Sequence, residues 1–187
     1  MHFSIPTLLT ATFVTLTMAA PRAAGPASPD CPKYPAVPPA SLRYGVVVFP
    51  GYQALDVWGP LDILNTLAFE YKNNTISILA ETLDPVSTAI ATMNTTFGES
   101  IVPTHTFDNA PELDVLLVPG GVGTRVPDIS AQVEYIRRVF PSLKYLITVC
   151  TGAVLASDAG VLDGEYATTN KKAYDWVVGR PSSEPTH

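Results

Sequence analysis

Leu146-Ile147-Thr148-Val149-Cys150-Thr151-Gly152-Ala153-Val154-Leu155 is the stretch on which the reading of this chain turns. The apolar run at 145–149 reads as a buried strand, and small residues then lead at once into a helical pattern. The cysteine stands at the join. A sharp strand-to-helix turn of this kind holds a reactive side chain clear of a sheet, the arrangement called a nucleophile elbow. Thr151, Gly152 and Ala153 let the backbone turn tightly and let a substrate come close. A thiol at a helix N-terminus is biased toward the thiolate, because the N–H groups there lack partners. The competing reading is a buried structural cysteine, since free Cys is among the most buried residue types. The local pattern leaves both open.

Outward from the elbow, the same alternation repeats. Residues 43–49 (RYGVVVF) form a continuous β-branched run, as expected of a strand covered on both faces. Pro50-Gly51-Tyr52 breaks it, and a helix is expected over 61–69 with Pro60 in its first turn. A second strand is expected at 75–80, and shorter strands joined by a turn, with Gly98 as a break, over 86–102. Residues 115–118 (VLLV) read as another buried strand, ended by Pro119-Gly120-Gly121. A helix over 128–140 puts Val133, Ile136 and Phe140 on one face. The elbow strand follows, then a helix over 151–159 with Gly160 as C-cap, a short strand at 165–168 and a helix over 171–178. Strands alternating with helices predict an α/β fold with a doubly wound parallel sheet and helices on both faces.

Length and composition agree with one such domain. The chain has 187 residues, 47% hydrophobic and 15% charged, enough to bury a sizeable core. A formal net charge of -6 argues against a nucleic-acid partner. Residues 1–24 read as a secretory signal: 3–18 are apolar and Thr-rich but too short for a membrane span, and Ala19, Ala20, Ala23 and Ala24 suit cleavage between 19 and 25. A Pro-rich leader at 25–41, a folded domain at 42–178 and a polar tail at 179–187 complete the expected organisation. Without the signal, no run is long and apolar enough to span a membrane, so a secreted, extracellular protein is expected. Sequons at Asn73 and Asn94 fit that compartment as glycosylation sites. Pairing Cys31 with Cys150 is not expected, because it would bury the elbow thiol. Two cysteines are too few for a disulfide framework or a zinc site, and no metal is expected.

In a doubly wound sheet the carboxyl ends of the strands form the binding crevice. Asp56, Gly120-Gly121 and Cys150 all fall there. Asp56 sits between Leu55 and Val57-Trp58, a poor place for a carboxylate without a task or a partner. It either orients the thiol or activates a water, or it is a helix N-cap. The glycine pair either offers a backbone N–H to an oxyanion beside the N–H of Thr151, or is only a flexible turn.

Three separated motifs in order resemble the DJ-1/PfpI family: Phe49-Pro50-Gly51-Tyr52-Gln53-Ala54-Leu55-Asp56-Val57-Trp58-Gly59-Pro60, Asp114-Val115-Leu116-Leu117-Val118-Pro119-Gly120-Gly121, and Val149-Cys150-Thr151-Gly152-Ala153. Ala159-Gly160-Val161-Leu162-Asp163-Gly164 and Ala167-Thr168-Thr169 add to the resemblance, which covers about residues 44–178. It implies a flavodoxin-like fold with Cys150 as nucleophile, Asp56 as its acidic partner, and oxyanion donors on the backbone of Gly121 and Thr151. Within the family, the Asp and the Cys-Thr-Gly elbow are most similar to the isocyanide hydratase branch. That implies a small-molecule substrate, a thioimidate intermediate, an N-substituted formamide product, and no metal or organic cofactor. The homodimer common in the family is left open. Many relatives carry His where this chain has Asn170, which still falls in the pocket, so a Cys-His couple is not available there. His105 is expected to be exposed. Relatives usually continue beyond the region of Val178 with a further strand and helices, so the domain is expected to be truncated and to expose apolar surface beside the elbow helix. The lost His and the short end favour an alternative, a non-catalytic ligand-binding or redox-responsive domain.

Overall fold

A computed structural model describes residues 41–180 except 71, 72, 91, 93, 95, 96 and 127. The expected signal at 1–24, nearly all of the Pro-rich leader, His2, Cys31 and the chain beyond 180 lie outside the described residues. The strands are β1 (Arg43–Val47), β2 (Thr75–Ala80), β3 (Val86–Ser87), β4 (Ser100–Ile101), β5 (His105–Thr106), β6 (Val115–Val118) and β7 (Tyr145–Thr148). The helices are α1 (Ala54–Glu70), α2 (Ser130–Val139), α3 (Gly152–Asp158) and α4 (Tyr174–Val178), with 3₁₀ turns at Val122–Arg125, Phe140–Ser142 and Lys171–Ala173. Five strands form one parallel sheet in the order β5-β2-β1-β6-β7, while β3 and β4 pair as a separate antiparallel hairpin.

The register follows from burial. Val46 lies opposite Ile78 on one side and Leu117 on the other, and Leu117 opposite Ile147. These side chains point to the face along which Pro60, Ile63 and Leu64 of α1 line a shared groove. On the other face Leu116 of β6, Ile136 of α2 and Leu155 of α3 are fully buried. Continuous β-branched runs suit strands covered on both sides, which is why β1 and β6 carry no alternation. At the amino end of the sheet, Asp114 ties three strands together. Its carboxylate accepts the Arg43 backbone N–H (2.9 Å) and Nε (3.0 Å), and Lys144 Nζ lies 3.0 Å away. The Arg43 guanidinium beside it holds this buried carboxyl well below the usual carboxylate range.

Five expectations need correction. Helix α1 begins at Ala54, so Pro60 sits inside it and not in its first turn. Proline removes one intrahelical hydrogen bond; tethers from Gln53 and Asp56 to the Gly120 backbone start the helix early. Strand β7 is an edge strand, half exposed (Tyr145 61%, Ile147 45%), because it pairs with β6 on one side only. Residues 165–168 form no strand; they run exposed after the turns that follow α3. The uncovered apolar surface is wider than expected: besides Tyr174 and Val178, which share a pocket with Ala153 and Ser157 of the elbow helix, it includes the α1 face, at Ile63, Leu67, Tyr145 and Ile147. Arg180, placed in the polar tail, is ordered by an ion pair with Asp158 at 2.6 Å. The Gly160 cap is as expected: its N–H and that of Val161 reach back to Ser157 and Ala156.

Candidate active site

Strand β7 stays paired with β6 up to the elbow, where the Val149 N–H reaches Val118 O at 3.0 Å. The Gly152 N–H then closes back on Val149 O at 2.9 Å, and inside that tight turn Cys150 adopts φ 56°. A non-glycine residue in the left-handed region costs on the order of 1–3 kcal/mol and persists only where its surroundings impose it. Here the strand, the closing hydrogen bond and the helix behind it do so. Cys150 is free and half-buried, which separates it from the fully buried structural cysteine of the competing reading. Its carbonyl accepts the Thr169 hydroxyl at 2.9 Å, so the irregular segment after α3 is pinned across the back of the elbow.

Asp56 is buried (8% exposed) in the first turn of α1, two residues inside the helix, and so is not its N-cap. Its Oδ2 accepts the Gly120 N–H at 3.0 Å. Burial pushes the carboxyl above the ordinary aspartate range; the Gly120 N–H and the neighbouring Cys150 thiol pull it back only in part. The fold therefore brings Asp56, Gly120 and Cys150 to one point from three separate elements.

The glycine pair is required by space. A Cβ on Gly120 would come within 2.5 Å of Thr151 N, and Gly121 holds φ 132° where a Cβ would strike Gly51 O. The Gly121 N–H, expected to face a substrate oxygen, instead donates to Thr151 Oγ1 at 3.0 Å. Thr124 joins this buried set, donating from Oγ1 to Gly121 O at 2.8 Å and meeting Thr151 Oγ1 at 3.2 Å. The backbone N–H of Thr151, beside Gly120, is the second expected donor.

An open cleft of about 650 Å³ reaches Cys150, within the usual size of small-molecule sites. Gln53, Val122, Arg125, Asn170 and Lys172 share its walls. Asn170 is present as expected, but its Oδ1 caps the next turn through the N–H groups of Lys172 (2.9 Å) and Ala173 (3.2 Å). His105 lies on β5, at the opposite edge of the sheet from β7, with Nδ1 2.9 Å from Thr104 Oγ1. Asn73 and Asn94 are exposed and distant in sequence from the cleft residues. Among the described residues no group of three or more His, Cys, Asp or Glu could hold a metal ion, and no helix is long and apolar enough to cross a membrane. Thr124, Arg125, Gln53 and Lys172 were not singled out from sequence. Gln53 stands inside a motif that was, while the other three carry no local signal.

The family model of the DJ-1/PfpI family matches residues 43–182. An isonitrile hydratase from Pseudomonas putida is 32% identical over 136 residues, 72% of this chain and 55% of its own. The crystal structure of a THiJ/PfpI family protein from Pseudomonas syringae superposes with a TM-score of 0.54 at 30% identity, covering 75% of this chain and 54% of the other. An AraC family transcriptional regulator from Pseudomonas putida shares the fold alone, with a TM-score of 0.59 at 20% identity over 74% of this chain and 72% of its own. The chain thus spans about half the length of the first two relatives. With the motif residues in place around one cleft on a parallel α/β sheet, this chain belongs to the DJ-1/PfpI family.

Proposed function

We propose that the chain is a cysteine-dependent hydratase of a small isocyanide, with Cys150 as nucleophile and Asp56 as proton carrier. The observation that carries this is the buried Asp56 carboxyl, set on the Gly120 N–H and beside the thiol of a left-handed elbow. The 32% identity to a protein named isonitrile hydratase supports the same reading, isonitrile and isocyanide being one functional group. Cys150 Sγ bonds to the terminal isocyanide carbon, and that carbon receives the thiol's proton by way of Asp56, giving a thioimidate. Water then adds to the same carbon, a proton passes to nitrogen, and the C–S bond breaks to restore the thiol. One isocyanide and one water give one N-substituted formamide, with no oxidant or reductant. Burial shifts Asp56 toward its protonated form, the direction that suits a group that gives a proton. The Thr151 N–H, and the Gly121 N–H once the Thr151 hydroxyl turns away, are the donors for the added oxygen.

Incubation with an alkyl isocyanide, read as formamide by mass spectrometry, tests the proposal. Turnover is expected to vanish in Cys150→Ala while the far-UV spectrum and unfolding midpoint stay close to the parent's. Turnover that survives the substitution overturns the mechanism.

A second reading, a redox-responsive or ligand-binding domain without turnover, is favoured by one observation: the Gly121 N–H already has an internal acceptor. Under it, mild peroxide adds oxygen to Cys150 before any methionine, and isocyanides form no adduct. Methionine oxidation ahead of Cys150 would count against it. Secretion after loss of residues 1–24 remains part of the proposal, tested by N-terminal sequencing of the exported chain.

A further inference from the structure

We propose that the Cys150 cleft takes substrates bearing a carboxylate, gripped at the mouth by Arg125 and Lys172. The identity of the reacting group rests on the hydratase reading; the charge of the substrate does not.

The chain as a whole is acidic, with 17 acidic against 11 basic residues. Among the described residues, the wall of this cleft has two cations, Arg125 and Lys172, and no acidic side chain. The acid nearest the chemistry, Asp56, is buried beneath the elbow and biased toward its neutral form. A substrate anion at the mouth therefore meets no carboxylate among the lining residues.

Arg125 is also singular among the described arginines. Arg43, Arg137, Arg138 and Arg180 each face a carboxylate, on Asp114, Glu134, Asp108 and Asp158 respectively. Arg125 has no such partner among the described residues. It borders a second cavity that contains Glu134 and Asp158, but those two are already paired with Arg137 at 2.7 Å and Arg180 at 2.6 Å. The guanidinium is nevertheless held in place. It lies 4.1 Å over the Trp176 ring, which also receives Arg180 at 5.3 Å. Its backbone closes the 3₁₀ turn that follows the glycine pair, and the preceding residue, Thr124, is anchored on Gly121 and Thr151. A guanidinium held over a ring and without a carboxylate partner can receive a carboxylate through two parallel hydrogen bonds. Lys172 lines the same cleft as a flexible point charge, on a turn whose start is capped by Asn170. Arg125 and Lys172, the two cations among the described residues lining the cleft that Cys150 shares, form a receptor for a small anion on the substrate's tail.

The test uses two matched pairs. Isocyanoacetate and isocyanoacetamide differ only in charge as substrates; N-formylglycine and N-formylglycinamide differ in the same way as the corresponding products. Turnover of the first pair and calorimetric binding of the second are measured for the parent chain, Arg125→Ala, Arg125→Lys and Lys172→Ala, at low and at physiological salt. A charge-assisted contact at an exposed mouth sets the expected preference for the acid at about tenfold. That ratio should fall toward unity in Arg125→Ala, fall in part in Lys172→Ala, be partly kept in Arg125→Lys, and shrink as salt is raised. Equal binding of N-formylglycine and its amide, or a preference untouched by Arg125→Ala, overturns the inference. Preferential binding of the acid without turnover of either isocyanide would uphold it and instead remove the hydratase reading. Equal turnover of both isocyanides with equal binding of both products would do the reverse.

Discussion

Replacing Asp56 by asparagine separates chemistry from support. The two side chains have the same shape, and the amide oxygen of the variant can still accept the Gly120 N–H across 3.0 Å. Where the parent carboxyl is ionised, the bond changes from charge-assisted to neutral, which costs about 1 kcal/mol. Against this, the amide brings no charge into a site that is 8% exposed, so the desolvation that raises the Asp56 pKa disappears. The two changes oppose each other, and a net stability change within about 1 kcal/mol is expected. The sign of its pH dependence follows from the direction of the shift. Because the folded-state pKa is raised, the stability contributed by Asp56 is complete below the ordinary aspartate range and is lost as pH rises through the raised value. Asp56→Asn has no such slope, so the variant should gain on the parent in going from acid to neutral pH. Turnover should fall by about 10²–10⁴, the usual worth of a positioned proton carrier. Urea unfolding at several pH values, together with formamide production, measures both effects. A loss of more than about 3 kcal/mol would show that the carboxylate is a structural keystone. Turnover within about threefold of the parent would show that protons reach the isocyanide carbon by another route.

Gly121→Ala must relax φ 132° and a collision with Gly51 O, and should cost about 2–4 kcal/mol in denaturant unfolding; a neutral effect would mean that the glycine pair is a loose turn. Asp114, held low by Arg43, contributes stability above the ordinary aspartate range that is lost as pH falls toward its depressed value. Asp114→Asn should therefore be destabilised at neutral pH and show a shallower acid limb; an unchanged limb would place the acid sensitivity elsewhere. The Tyr135 hydroxyl is buried without a hydrogen-bond partner among the described residues, and burial pushes its pKa up to about 12. Tyr135→Phe should thus be neutral or stabilising by about 1 kcal/mol, and a clear loss of melting temperature would reveal an acceptor for that hydroxyl.

Much of this molecule is written in local sequence. The strands at 43–47 and 115–118 and the elbow show themselves because a strand buried on both faces needs an unbroken apolar run, and a sharp turn needs small residues. The cysteine, the aspartate and the glycine pair could be placed at the carboxyl ends of strands for the same reason. Tertiary structure alone decided which groups those residues touch. The outward face of Tyr145 and Ile147 depends on β7 being an edge, and the early start of α1 on hydrogen bonds to Gly120, 64 residues from Asp56. That the Gly121 N–H turns to Thr151 Oγ1, and that the Arg125 guanidinium lies over Trp176, depends on contacts between segments distant in the chain. Hydrophobic period and turn chemistry are properties of neighbours along the chain. Side-chain partnership belongs to neighbours in space, and nothing in the residues around Arg125 or Thr151 encodes it.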